Sequence, residues 1–220
     1  MPTPNIDQYL EDAHTALTNL QNAPELRTPM ADFGYDPTRV ASLVALHEAA
    51  ATAHLAHKTE YAEQFGATAA YESARETTHT AYMRHLKLAR VVYKNNVTRL
   101  HQLGLQGERL QSYSGWKAQA EQFYTAALAE TAIQTDLATL GITLTALQDA
   151  KALLDAADAA WHTQKREAGE AQEATQARDA ALDALQVAYS DLITVARVAF
   201  EDDPQKLERM GITVSSEGGG

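Results

Sequence analysis

Residues 88–105, LARVVYKNNVTRLHQLGL, return in altered form as residues 195–212, VARVAFEDDPQKLERMGI, displaced by 107 positions without a gap. No other feature restricts the fold as much, because two segments written alike must be served by one local structure. The same displacement pairs FGYDPTRVASLVALHEAAATAHLAHKTEYAEQFGATAAYESARE with LGITLTALQDAKALLDAADAAWHTQKREAGEAQEATQARDAALD. Alanine matches are cheap in such a chain. Gly34/Gly141, Lys58/Lys165, Glu63/Glu170, Thr68/Thr175, Tyr82/Tyr189, Arg90/Arg197, Val91/Val198, Leu100/Leu207 and Gly104/Gly211 are not. The register reaches back to Ile6 and Tyr9, which meet Tyr113 and Trp116. It implies a tandem duplication, with copy one at 1–107, copy two at 108–214, and residues 215–220, SSEGGG, as a flexible tail.

What each copy folds into follows from its apolar content. The chain holds 42 Ala against 2 Trp, 4 Phe and 9 Tyr, so small side chains and Leu must fill the core. Alanine is the strongest helix former, and the few Gly and Pro fall mostly near the ends of periodic segments. The expected fold is all-α: an elongated six-helix bundle made of two tandem three-helix units.

The first helix of copy one carries Tyr9, Leu10, Ala13, Leu17 and Leu20 at three- and four-residue spacing, and its counterpart carries Trp116, Ala120, Tyr124, Ala127 and Leu128. After it, Pro24, Pro29 and Pro37 break copy one, whereas copy two is free to stay helical up to Gly141. A second helix starts at Asp36 or Thr143, both N-cap residue types. A turn near Gly66, and another between Gly169 and Thr175, is expected to lead to a third helix capped by Thr68 or Thr175, although a lone Gly also permits one continuous helix. Asn95-Asn96 and Asp202-Asp203-Pro204 stop that helix and start a short one, which closes at Gly104 or Gly211 with Leu105 or Ile212 packed behind it.

The ending ARVAFEDDPQKLERMGI, 196–212, resembles the C-termini of uncharacterised bacterial α-helical bundle proteins, which implies a bundle and no particular activity. A three-helix unit as long as copy one is also similar in length to a spectrin repeat. Spectrin units join through a continuous helix, whereas the stop-plus-glycine ending of copy one interrupts the chain.

Several function classes drop out. With no cysteine there is no disulfide, thiolate nucleophile or Cys-ligated zinc. A formal charge of -11 opposes binding to nucleic acid, which depends on Lys and Arg neutralising phosphates. The opening MPTPNIDQYLED lacks the basic and apolar regions of a signal peptide, and no run approaches the roughly 18 apolar residues of a membrane span. A cytoplasmic location is the default expectation.

Histidines are the candidate ligands. His47, His54 and His57 share one side of the second helix. HEAAATAH spaces its imidazoles seven apart, unlike the HExxH of zinc enzymes. Their counterparts in copy two are Leu154, Trp161 and Gln164, and that of His85 is Leu192, so these slots read as core or boundary rather than metal ligands. Glu11-His14 and Glu76-His79 have the ExxH spacing of di-iron bundles, with Glu48, Glu60 or Glu63 as the facing carboxylates, but copy two has Gln186 at the place of His79. The duplicated Lys58, Glu63, Thr68, Tyr82 and Arg90 read as interhelical hydrogen-bonding residues that fix register. No phosphate loop, nucleophile elbow or triad order is present.

The expected role is a non-enzymatic scaffold or self-assembling structural protein without cofactor or metal, the alternative being a metal-, cofactor- or ligand-binding bundle that uses the histidines of copy one. Residues 1–107 hold 11 acidic against 9 basic residues and seven of the eight histidines, while 108–214 hold 17 against 9. That asymmetry suggests head-to-tail contacts, closing into a homo-oligomer or continuing as a filament, strengthened as histidines protonate and weakened by salt.

Overall fold

The structure, a computed structural model, describes residues 5–212; the expected tail at 215–220 lies outside them. The described residues form eight α-helices and no strand, so the fold is all-α. In chain order the helices are α1 (Ile6–Asn22), α2 (Pro24–Asp32), α3 (Pro37–Val92), α4 (Val97–Gln102), α5 (Tyr113–Ala129), α6 (Thr131–Ala138), α7 (Leu144–Ala199) and α8 (Pro204–Met210). Each of the last four begins where the repeat places the start of its counterpart: Ile6 answers to Tyr113, Pro24 to Thr131, Pro37 to Leu144 and Val97 to Pro204. The sequence register is therefore a structural register.

Local chemistry explains most boundaries. Asp36 Oδ1 accepts from the Arg39 amide at 2.8 Å and Thr143 Oγ1 from the Ala146 amide at 3.1 Å, capping α3 and α7. Asn96 caps α4 in the same way, and Pro204 opens α8. Gly104 (φ +60°) and Gly211 (φ +86°) end the two short helices in the left-handed region. Leu105 and Ile212 then return their amides to the Leu100 and Leu207 carbonyls and bury their side chains.

Two expectations need correction. The turns at Gly66 and at Gly169–Thr175 do not exist: α3 and α7 each run 56 residues without interruption. A helical glycine costs only about 1 kcal/mol relative to alanine, which the helix-forming neighbours offset. Nor does copy two stay helical to Gly141. Glu130 is extended (φ -126°, ψ 119°), as is its counterpart Ala23 (φ -101°, ψ 108°). Pro24 opens α2 after the break in copy one; in copy two the Glu130 carboxylate is held by Arg99 at 2.5 Å and by Gln102.

Helix continuity decides how the cores are assembled. A helix that does not turn back cannot supply its own third layer, so each compact unit draws on both copies. One unit comprises residues up to Tyr61 together with those from Glu170, and the other spans Ala62–Gly169. The boundary expected at residue 107 is thus not the boundary of compactness. The first core joins α1, α2, the N-terminal part of α3, the C-terminal part of α7 and α8 around Leu17, Leu20, Met30 and Phe200. The second joins the rest of α3, residues 103–105, α5, α6 and the N-terminal part of α7 around Tyr82, Phe123, Tyr124 and Leu137.

Burial follows the repeat closely. Ala13/Ala120, Leu17/Tyr124, Leu20/Ala127, Leu26/Ile133, Met30/Leu137, Ala50/Ala157, Ala89/Ala196, Tyr93/Phe200 and Leu103/Met210 are buried on both sides of the register. The small side chains among them let helices approach closely. Among the described residues no helix is long and apolar enough to cross a membrane.

Candidate functional site

The three candidate histidines His47, His54 and His57, all on α3, point to different partners. His47 Nε2 lies 3.0 Å from the Leu10 carbonyl, to which it donates, and its ring is 5.3 Å from that of His14. His54 Nε2 lies 3.1 Å from Asp7 Oδ1, which also accepts from Lys58 Nζ at 2.7 Å. His57 stacks on Tyr61 and accepts from the Arg178 guanidinium at 3.0 Å. Desolvation and then Arg178 push the His57 pKa below its usual value, which keeps the ring neutral and able to accept.

The ExxH pairs are likewise dispersed. His14 lines a groove of about 420 Å³ with His47 and Glu48, while Glu76 and His79 line a groove of about 430 Å³ in the other unit. Among the described residues no group of three ligand-type side chains at metal-binding distances contains a histidine.

The duplicated Tyr, Arg and Gly converge instead. Tyr82 on α3 is fully buried, and its hydroxyl accepts from Arg109 Nη1 at 2.9 Å. The same nitrogen donates to the Gly104 carbonyl at 3.1 Å, while Arg109 Nη2 reaches the carbonyls of Gln106 (2.6 Å) and Gly107 (3.2 Å). Arg90 Nε donates to the Leu105 carbonyl at 2.8 Å. Gln119 fastens the same segment from α5, accepting from the Leu110 amide at 3.1 Å and donating to the Glu108 carbonyl at 2.8 Å. The result is a corner where a tyrosine hydroxyl and a glycine carbonyl hold one guanidinium.

In the other unit the repeat counterparts Tyr189, Arg197, Gly211 and Ile212 lie along one groove. Tyr189 is 7% exposed, its hydroxyl donates to the Asp12 carbonyl at 3.4 Å, and burial pushes its pKa up to about 12. Its ring meets that of Tyr9 edge-on, 6.0 Å between centroids. These residues line a groove of about 550 Å³ with Asp12 and Ser190. The Tyr9 hydroxyl is shielded from solvent and has no hydrogen-bond partner among the described residues.

The repeat register marks Tyr82, Arg90 and Gly104 but not Arg109 and Gln119, because their counterparts in copy one are Pro2 and Asp12. Asymmetric positions are invisible to a search for repeated ones. Comparison with protein-family models, with curated proteins and with solved structures finds no match to this chain.

Proposed function

We propose that this chain is a non-enzymatic helical scaffold built from a tandemly duplicated sequence, working through contacts with protein surfaces, copies of itself included. One observation carries the reading: buried positions and the glycine-ended corner are copied in the repeat register, whereas the histidines are not. What both copies retain serves packing, since Arg90 ties down the Leu105 carbonyl and the paired tyrosines stand in the two cores. The histidines that differ between copies hold a carbonyl, a carboxylate and a guanidinium in separate places.

Self-association through the charge asymmetry of the two copies belongs to the same proposal. His57 and His85 are both held below the ordinary imidazole pKa, which limits the positive charge these two add as pH falls. Sedimentation of the purified protein between about pH 7.5 and 6, with and without about 0.5 M salt, tests this. Association that grows towards pH 6 and recedes in salt supports it; a monomer throughout removes self-assembly from the proposal. Elemental analysis and a visible spectrum separate the scaffold from the ligand-binding alternative, which would retain a stoichiometric metal or chromophore.

A further inference from the structure

Val91 and Val198 are an identity of the repeat, yet they are 59% and 52% exposed, so packing within the chain does not account for them. Each stands on an exposed helical face. Thr80, Arg84, Lys87, Val91 and Lys94 follow one another along α3 and just past its end; their counterparts Val187, Asp191, Thr194, Val198 and Glu201 do so along α7. Steps of three and four residues put each set on one side of its helix. The two faces share a register and differ in charge, Arg84 answering to Asp191 and Lys94 to Glu201. We infer that the α3 face of one copy of the chain docks on the α7 face of a second copy, Arg84, Lys87 and Lys94 meeting Asp191 and Glu201 around the two valines. This docking rests on the self-association proposed above and gives it a surface.

Charge selects the partner face. Residues 76–94 hold four basic residues and one acidic, whereas residues 183–201 hold one basic and three acidic. None of Arg84, Lys87, Lys94, Asp191 and Glu201 forms an ion pair with another described residue, so pairing them across copies breaks no existing bridge. Arg39, a cation of the same unit as Asp191, lays its guanidinium over the Tyr35 ring at 4.1 Å and forms no ion pair with a described residue either. The pairing holds for either direction of crossing. With the helices parallel, Arg84 meets Asp191 and Lys94 meets Glu201; antiparallel, Arg84 meets Glu201 and Lys94 meets Asp191. Two α3 faces, or two α7 faces, would set like charges opposite each other.

Apolar surface lies at the same place. Leu140, itself exposed, lines a groove of about 780 Å³ with Met83, Arg84, Lys87 and Leu88. Val187 is exposed on the opposing face, and Phe33, the counterpart of Leu140, is exposed in the other unit. Residues 106–111 do not cover the α3 face: Gln111 accepts from Arg75 and Arg109 donates to Tyr82, both on the other side of that helix from Arg84 and Val91.

Sedimentation velocity of the full chain at about 50 μM, about pH 6 and about 50 mM salt compares the wild type with two double charge reversals, Arg84→Glu with Lys94→Glu and Asp191→Lys with Glu201→Lys. All four positions are exposed, so helicity by circular dichroism should match the wild type. Each reversal should weaken association about tenfold. An equimolar mixture of the two should recover it, because the acidic α3 face of one variant then meets the basic α7 face of the other. Weakening in the Asp191 and Glu201 reversal is the opposite of what net charge dictates, since that variant moves from -11 towards neutrality.

The inference fails if either reversal associates as the wild type does, or if the mixture stays as weak as its components. A wild type that is monomeric under these conditions removes self-association and docking together, whereas wild-type association that both reversals leave unchanged removes this surface alone. Deleting residues 213–220 should change nothing. Association that appears only without them would give one of the two faces to the chain's own C-terminus and overturn the inference.

Discussion

Tyr113 stacks flat on Trp161, with ring centroids 4.2 Å apart and planes 1° from parallel, and so ties α5 to α7. The Tyr113 hydroxyl also donates to Asp158, whose carboxylate Lys117 neutralises at 2.6 Å. At the repeat-equivalent place Ile6 and His54 stand instead, and His54 reaches Asp7. Trp161→Ala is expected to lower stability by about 2 kcal/mol, combining lost stacking with lost partial burial. A urea titration followed by circular dichroism measures it, and Trp116, then the remaining tryptophan, reports whether the core still closes.

Glycine substitutions separate two kinds of position. Gly104→Ala and Gly211→Ala place a methyl group where φ is positive and where Gln122 lies 2.8 Å and Thr15 3.0 Å away, so each should destabilise by about 1–2 kcal/mol. Gly66 and Gly169 lie within α3 and α7 with nothing near the added carbon. Alanine at either should stabilise by about 0.5–1 kcal/mol. A loss at Gly66 or Gly169 would restore the turns that the continuous helices replace.

How far the sequence reveals this architecture can be read from those same glycines. Asp36, Thr143, Asn96, Gly104 and Gly211 act on residues within four positions of themselves, so their roles are legible in the sequence. Glu130 is not legible: its extended backbone goes with a carboxylate held by Arg99, far back along the chain. Gly66 is ambiguous because one glycine costs less than neighbouring alanines supply. That one ambiguity conceals the exchange of partners between copies, since a turn would let each copy close on itself. The Tyr82 corner is legible by halves, its repeated tyrosine and glycine from the register, Arg109 only from coordinates.

Acid should weaken the fold before the carboxylates protonate. His85 is buried, with its Nδ1 3.3 Å from the Tyr124 hydroxyl, and burial first and Arg84 second hold its pKa below 6.5. His57 is lowered for like reasons. A base with a depressed folded pKa binds its proton more readily in the unfolded chain. Stability is therefore complete above pH 6.5 and declines below it until the folded pKa is reached. Urea midpoints should fall between about pH 6.5 and 5, and fall less in His85→Leu combined with His57→Gln.

Replacing His47, His54 and His57 by the Leu, Trp and Gln of copy two should preserve helicity and leave metal content unchanged. Losing the hydrogen bond from His47 to the Leu10 carbonyl should cost about 1 kcal/mol. Calorimetry and elemental analysis of the same preparation check both halves. Stoichiometric zinc or iron lost on substitution would revive the histidines as ligands.

An isolated fragment of residues 1–107 lacks the α7 segment that completes its first core. Two such fragments can supply the missing layer to each other, because α3 carries the counterpart of that segment. The fragment is expected to be a dimer by light scattering and to melt in a concentration-dependent way. A concentration-independent, cooperative monomer would contradict it.

The uninterrupted course of α3 and α7 also sets an order of events during synthesis. Leu10, Leu17 and Leu20 leave the ribosome well ahead of Leu185, Leu192 and Phe200, which belong to the same core and are made only after the whole of the other unit. The unit spanning Ala62–Gly169 is contiguous and can close while the chain is still growing. The apolar face of α1 is thus made before that unit and covered after it, and in the interval it is the face that a chaperone would meet.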